Sequence, residues 1–558
     1  MNLLEPLSHI KRSVFSRLGI KSEVSIWASL IRSESAYWQA AKQTARAGQR
    51  VLIATSMGGY QRGALVESAL AAALTLRGAS VDVLLCDSFL PACQLTDFAV
   101  TPPEQLVRQT PQKRCDSCQW EGKKLFKPLG LPIHWYGQLV TAEEADEARR
   151  IAASIPPEQI GEFRLNNLAV GEHALAGDLR YFARSDLENS PTSEVVLRRY
   201  LEASVLTVYS LQNLLKRTRY DVACFNHGIY VPQGLIGEVC RQNGVRVVNW
   251  CSAYRKQCFI FSHGDTYHHT MVSEPVAEWE NIPWNSETEK EILEYLKSRW
   301  QGTQDWIWFH DRPQENTDEI QRETGIDFNR PTVAMLTSVM WDARLHYASN
   351  AFPSMLDWVL QTIANFAKRP GLQLVIRVHP AEVRGFNPSR QPLVAEIKRE
   401  FPVLPPNVFV IPPESQISSY AVVSKCNAAI IYNTKMGIEV SSMGIPVIVA
   451  GEAWIRNKGF SIDASSPSAY FRILEELPFA TGLSAEKLER ARKYAYHFFS
   501  RRMIPMPFIT PGKGIYFGLG ISSIKDLSRG HYPGLDVICD GILNGADFTY
   551  DPVTEASQ

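Results

Sequence analysis

Two hydrophobic patterns alternate along most of this chain. Short apolar runs such as residues 51–55 and 81–86 are followed by longer stretches whose apolar positions recur every three or four residues. That alternation predicts parallel strands connected by helices, and hence sheets covered on both faces. Residues 1–45 read as amphipathic helix, with Trp27, Leu30, Ile31, Tyr37 and Trp38 spaced to cover a core. The strand 51–55 then runs into the turn Gly58-Gly59-Tyr60-Gln61-Arg62-Gly63, a helix over 64–76 and a second strand over 81–86. This is the opening of a doubly wound domain, and the turn lies at its ligand-facing end. Its glycines are not spaced as G-x-G-x-x-G, so a dinucleotide fingerprint is only weakly supported.

Residues 91–131, rich in Pro, Cys and Lys, read as an irregular insertion over the sheet edge or the cleft. Helical periodicity over 142–154 and 192–216 precedes a strand over 221–226, which delivers His227-Gly228 to its carboxyl end. Residues 270–328 show helical stretches and no comparable strand, as expected of a connector. The alternation resumes with a strand over 332–338, a polar loop holding Trp341, Asp342 and His346, a helix over 352–368 and a strand over 372–378 that ends in His379-Pro380. After a strand over 408–411 and a helix over 418–424 comes residues 428–451, read as one β-α-β step. Its polar turn is Asn433-Thr434 and its helix spans 435–442. Asn433 and Thr434 are good caps for that helix. A long amphipathic helix over 485–502, with Arg501-Arg502 as its solvated end, leads into a Pro/Gly-rich tail.

The expected fold is therefore α/β, with two Rossmann-like doubly wound domains facing a cleft, helices at the N-terminus and a helical tail. The expected divisions are 1–45 helical, 46–270 first domain with insertion 91–131, 271–328 connector, 329–480 second domain and 481–558 tail. A chain of 558 residues exceeds one ordinary core, which agrees with two or three domains. Lys and Arg (58) balance Asp and Glu (58), so global charge gives no case for nucleic acid. No apolar run is long enough to cross a bilayer and the start lacks a signal-peptide core. The expectation is a cytoplasmic protein, with docking to a membrane partner left open. Cys115-x-x-Cys118 is the one close cysteine pair and has no matching second pair, so reduced thiols are the commoner reading over zinc. Cys251 and Cys258 near His263, His268 and His269 keep a metal conceivable.

His379 at a strand end, Ser338 after an earlier strand, and Asn433-Thr434 before a helix converge on one rim of the second sheet. There His379 and Lys435 would face donor phosphate, the turn around Asn433 and Gly437 would offer N–H donors, and Glu439 would hold ribose or sugar hydroxyls. Glu439, four residues after Lys435, is equally placed for an internal ion pair. His227, from the first domain, is the candidate acceptor base, with Asp265 and the Gly58-Gly59 turn as weaker candidates. No convincing D-x-D motif supplies a metal site, and no cofactor is implied.

The segments IRVHPAE (376–382) and YNTKMGIEVSSMGIPVIVAGEAW (432–454) resemble the capsular polysaccharide biosynthesis proteins, whose Kdo-transferase-type members carry an HP motif and then S-S/T-x-x-G-x-E-A-x-x-x-G-x-P-V. The match falls on His379, Pro380, Thr434, Gly437, Glu439, Gly444, Pro446 and Val447; Asn433 and Val440 depart from it. The resemblance implies a metal-independent GT-B glycosyltransferase with a nucleotide-activated donor, a CMP-linked acidic sugar among the candidates, and a glycolipid or polysaccharide acceptor, with peripheral association with membrane export machinery left open. A nucleotide-sugar epimerase of the same fold and a non-catalytic capsule assembly or export factor remain as alternatives.

Overall fold

The structure is a computed structural model describing residues 26–306, 309, 312–342, 350–385, 387–512 and 516–551. The first sheet is built from β1 (Arg50–Ser56), β2 (Ser80–Leu85), β3 (Ile133–Trp135), β4 (Val222–Asn226), β5 (Arg246–Ser252) and β6 (Cys258–His263). The second holds β7 (Thr332–Leu336), β8 (Gln373–Arg377), β9 (Val408–Ile411), β10 (Ala428–Ile431), β11 (Val447–Val449) and β12 (Ile462–Asp463). From the tail, β13 (Ile504–Pro505) returns to the first sheet and pairs antiparallel with β6, and Ile509–Pro511 and Phe517–Leu519 form a separate two-stranded antiparallel sheet. The order is β13-β6-β5-β4-β1-β2-β3 in the first sheet and β12-β11-β10-β7-β8-β9 in the second. All second-sheet pairs are parallel, as are β3, β2, β1, β4 and β5. These are two Rossmann-like, doubly wound sheets.

The alternation of strand side chains explains why each sheet needs helices on both faces. Val51 and Ile53 enter one apolar cluster while Leu52 and Ala54 enter the opposite one. In β7, Val333 and Met335 face one cluster, Ala334 and Leu336 the other. The helices that position the site are α1 (Gln61–Leu76), α2 (Gln112–Phe126), α3 (Val170–Phe182), α4 (Ser286–Gln301), α5 (Met436–Ser442), α6 (Ala485–Tyr496) and α7 (Pro533–Asn544). Every residue of α1 from Gly63 to Thr75 is buried. Its run of alanines lets it lie between the sheet, the N-terminal helices and the C-terminal tail.

The segment 91–131 departs from its expectation as an irregular insertion, because α2 occupies much of it. The helix buries Cys115, Cys118 and Gly122 partly or fully beside Leu125 and Phe126. Small and sulfur-bearing residues on that face left no visible apolar period. The N-terminal helices are Ile26–Ser33 and Ser35–Ala45, with Trp27 and Trp38 fully buried as expected. Tyr37 instead faces outward, its hydroxyl 3.1 Å from Ser528 Oγ. The tail helix α6 continues as a π-helical turn, His497–Arg501. Arg502 is not a solvated end: it is buried, donating to the carbonyls of Phe548 and Phe261. It is thereby one of the bonds tying the tail to the first sheet.

Candidate functional site

Doubly wound sheets bind ligands beyond the carboxyl ends of their strands, where the strand order reverses. Here the reversals fall between β1 and β4 in the first sheet and between β7 and β10 in the second. The residues leaving those four strands are Ser56 to Gly59, His227-Gly228, Thr337-Ser338 and Tyr432 to Thr434. Most of the residues singled out from sequence are therefore brought to the two switch points. Backbone strain marks the first of them. Ser56 and His227, both non-glycine, sit in the left-handed region at φ 58° and 68°, a conformation that costs of order 1 kcal/mol and concentrates at functional sites.

At the second switch point the Ser338 hydroxyl donates to Asn433 Oδ1 over 2.6 Å, linking the ends of β7 and β10. The backbone N–H of His379 donates to Thr337 Oγ1 (3.2 Å), and His379 Nδ1 accepts from the Ala381 N–H (3.1 Å). An accepting Nδ1 leaves the proton on Nε2, so this imidazole is a donor at its outer nitrogen. A narrow cleft opens here, lined by Asp342, Asn350, Ser354, Tyr432 and Asn433, and by Ser185 from the first half of the chain.

The first switch point, marked by His227, is linked to a residue of that cleft through Tyr230. The His227 ring lies against Tyr230, with centroids 4.9 Å apart, and the Tyr230 hydroxyl donates to Asp342 Oδ1 over 2.8 Å. That bond joins the two halves directly. Burial lowers the His227 imidazole to about 4, with Asp342 pulling it up and Arg180 pressing it further down. Its Nδ1 is buried with no hydrogen-bond partner. His268 is held at about 3 by burial and by His227 and His269. Both rings are thus neutral at physiological pH, and an unprotonated imidazole can accept a proton. A second set of contacts holds the halves together at Ser185, whose backbone N–H and hydroxyl both donate to Gln391 Oε1 (3.0 and 2.8 Å). Arg390 lies 3.8 Å from the Phe98 ring centroid and pairs with Glu188 at 3.2 Å.

The remaining expectations are corrected by burial. Glu439 has a side-chain exposure of 2% and is enclosed by Arg299 Nε at 3.2 Å, Lys435 Nζ at 3.1 Å and the Tyr420 hydroxyl. Burial alone would raise its carboxyl, but Arg299 and Lys435 more than offset this and hold it at about 2. Of the two readings of Glu439, the ion pair is the one formed; its oxygens face protein cations instead of sugar hydroxyls. Arg299, at the end of α4, also pairs with Asp305, so the cluster ties the connector to α5. Burial and Arg299 lower the Lys435 ammonium, which lies 4.8 Å over the Tyr254 ring.

Gly437 is a packing glycine, since a Cβ there would meet Ile431 and Ile455 at 2.6 and 2.8 Å. Gly58 is one too: a Cβ would lie 2.3 Å from the backbone nitrogen of Gly122 in α2. Gly59 donates its N–H to Cys118 Sγ (3.1 Å). Neither Asn433 nor Thr434 caps α5, which starts one residue later than expected with Lys435 in the cap position. Thr434 Oγ1 accepts from the Met436 N–H (3.3 Å) and Asn433 turns toward Ser338. Asp265 is engaged by His269 at 2.9 Å, and His346 lies outside the described residues. Among the described residues, no group of three or more His, Cys, Asp or Glu is arranged to hold a metal ion. Tyr230, Arg180 and Arg299 had no local sequence signal, because their partners are remote in the chain.

Residues 305–478 match the family model described as capsule polysaccharide biosynthesis protein. That match spans β7 to β12 and with them His379, Ser338 and the 433–439 turn and helix. Among solved structures, KpsC of Thermosulfurimonas dismutans, a beta Kdo 2,4 transferase, aligns with 55% of this chain and 87% of its own at 13% identity and a TM-score of 0.34. The beta Kdo 2,7 transferase KpsC of the same organism aligns with 57% and 88% at 12% identity and 0.32. The UDP-GlcNAc 2-epimerase of Neisseria meningitidis aligns with 80% and 98% at 11% identity and 0.24. No curated protein sequence matches the chain.

Proposed function

We propose that this protein is a glycosyltransferase of surface polysaccharide synthesis, moving a sugar from a nucleotide-activated donor to a glycolipid or polysaccharide acceptor. The observation that carries the reading is the bond from Tyr230, beside the first switch point, to Asp342, which lines the cleft at the second. The family match of the second sheet supports the same class. In this reading the second sheet takes the donor. His379 presents an Nε2 proton to a phosphate oxygen, and Ser338, Asn433 and Thr434 shape the floor on which the nucleotide lies. Lys435 adds positive charge at the edge of that floor. As the bond from the anomeric carbon to phosphate breaks, negative charge develops on the leaving oxygen, and a fixed donor at that position stabilises it more than the ground state.

The first sheet takes the acceptor. His227, neutral and unpartnered at Nδ1, accepts the proton of the attacking hydroxyl, and the neighbouring Asp342 carboxylate stabilises the imidazolium that results. Because Asp342 belongs to the second half, the base is completed only while the halves are closed. The test is incubation with a panel of CMP-, UDP- and GDP-linked sugars and short glycan acceptors, followed by mass spectrometry. Free nucleotide and an extended acceptor support transfer. An epimerised nucleotide-sugar with no release of nucleotide would replace the reading with an epimerase.

A further inference from the structure

Helix α2 has no part in the cleft, yet its solvent face is unlike the rest of a chain whose charges balance. Lys113, Ser117, Trp120, Lys124 and Lys127 recur at three- and four-residue intervals, so they share one face of the helix and its immediate continuation. Trp120 is 51% exposed, among the most exposed large apolar side chains of the described residues, and the Lys124 ammonium lies 5.0 Å over its ring. Lys123 lies 5.3 Å from the Trp135 ring beside it. The acids of the helix are Asp116, which accepts from Gln112, and Glu121, which is half-buried. Arg114 turns inward to Asp97. The opposite face is anchored by Leu125, Phe126 and the close approach of Gly122 to Gly58. A rigidly seated helix presenting lysines around an exposed tryptophan has the composition of an interfacial helix. Its ring enters the headgroup boundary while the ammonium groups meet anionic lipid.

We propose that α2 docks this protein on an anionic bilayer surface through Trp120, Lys113, Lys124 and Lys127. The site beneath the helix fits that placement. A small, mostly apolar pocket lies against its inner face, walled by Met57, Leu90, Leu95, Pro111, Cys115 and Pro232, with Pro232 ending the loop that carries His227 and Tyr230. If the transferase reading holds, docking through α2 would bring the half of the chain that carries His227 to the surface that holds a glycolipid acceptor. Docking itself does not depend on that reading.

The test is co-sedimentation of the full chain with vesicles of phosphatidylcholine alone and of phosphatidylcholine mixed with phosphatidylglycerol. Trp120→Ser and a triple Lys113→Glu, Lys124→Glu, Lys127→Glu variant are run beside wild type, each checked for an unchanged melting transition. Of the four side chains changed, Lys113, Trp120 and Lys127 are exposed and Lys124 is half-exposed over the Trp120 ring, so these variants leave the packed face intact. The wild type should sediment with the anionic vesicles only, and less as salt rises. With each lysine worth about fivefold in partitioning at an anionic surface, the triple variant should lose on the order of 100-fold. Trp120→Ser should also lose binding. Equal sedimentation of wild type and variants, or wild-type binding to phosphatidylcholine alone, would overturn the proposal. Heparin binding that is retained in Trp120→Ser, without vesicle binding by the wild type, would overturn it in favour of a soluble polyanion. Nucleotide-sugar turnover is not part of the readout, so failure of docking and failure of the transferase reading are separable.

Discussion

Replacing Glu439 by Gln separates a structural carboxylate from a ligand-binding one. The side chain keeps its size and most of its hydrogen-bonding capacity but loses the charge that faces Arg299 and Lys435. With the folded-state carboxyl at about 2 against an ordinary 4.5, linkage at 1.36 kcal/mol per unit assigns the charge roughly 3 kcal/mol of stability at neutral pH. Because the folded value is depressed, that contribution is complete above pH 4.5 and is lost as pH falls through about 2. At pH 3 less than half of it remains by the same linkage relation. Urea denaturation of wild type and Glu439→Gln should therefore differ by about 3 kcal/mol at pH 7 and by less than half of that at pH 3. The affinity for nucleotide in the folded protein should change by less than about threefold, well under 1 kcal/mol. A variant as stable as wild type that binds nucleotide tenfold more weakly would refute the reasoning and return Glu439 to the ligand.

The pH dependence of transfer should carry an acid limb near 4, the value of His227, and not near the ordinary imidazole 6.5; His227→Gln should lower kcat by at least about 100-fold and remove that limb. The same lowered values of His227 and His268 mean that their contribution to stability is complete above 6.5 and declines as pH falls toward 4 and below, which a pH series of melting temperatures reads. Gly58→Ala forces a Cβ into the backbone of α2 and should cost about 1–3 kcal/mol, measured by urea denaturation. Arg390→Ala removes a ring contact and an ion pair between the halves. It should weaken closure by roughly 1 kcal/mol, seen as a larger radius of gyration by X-ray scattering in the presence of nucleotide.

The central strands of both sheets were legible because they are buried on both faces and so read as unbroken apolar runs, as in Val51 to Ala54 and Ala428 to Ile431, whereas the part-exposed edge strands β3 and β12 and the strands β6 and β13 were not foreseen. The positions of His227, Ser338, His379 and Asn433 followed from the same pattern, since a strand end fixes where the next residue points. What escaped the sequence is contact across distance. Nothing near Glu439 announces Arg299, which comes from the connector and decides whether the carboxylate faces a ligand or a protein cation. Nothing near Tyr230 announces Asp342, because the two meet only when the sheets face each other. Helix α2 was missed for another reason. Its buried face is made of Cys115, Cys118 and Gly122, residues that pack well on a glycine turn and carry little apolar signal.

The most direct test of the account is thermal-shift binding of CMP, UDP and GDP to wild type and His379→Ala. A nucleotide at 100 times its dissociation constant raises stability by about 2.7 kcal/mol, enough for a clear rise in melting temperature. The account predicts that one nucleotide class stabilises the wild type and that His379→Ala, itself folded, loses most of the response. A wild type unmoved by every nucleotide, or a His379→Ala variant that responds as fully as wild type, would contradict it.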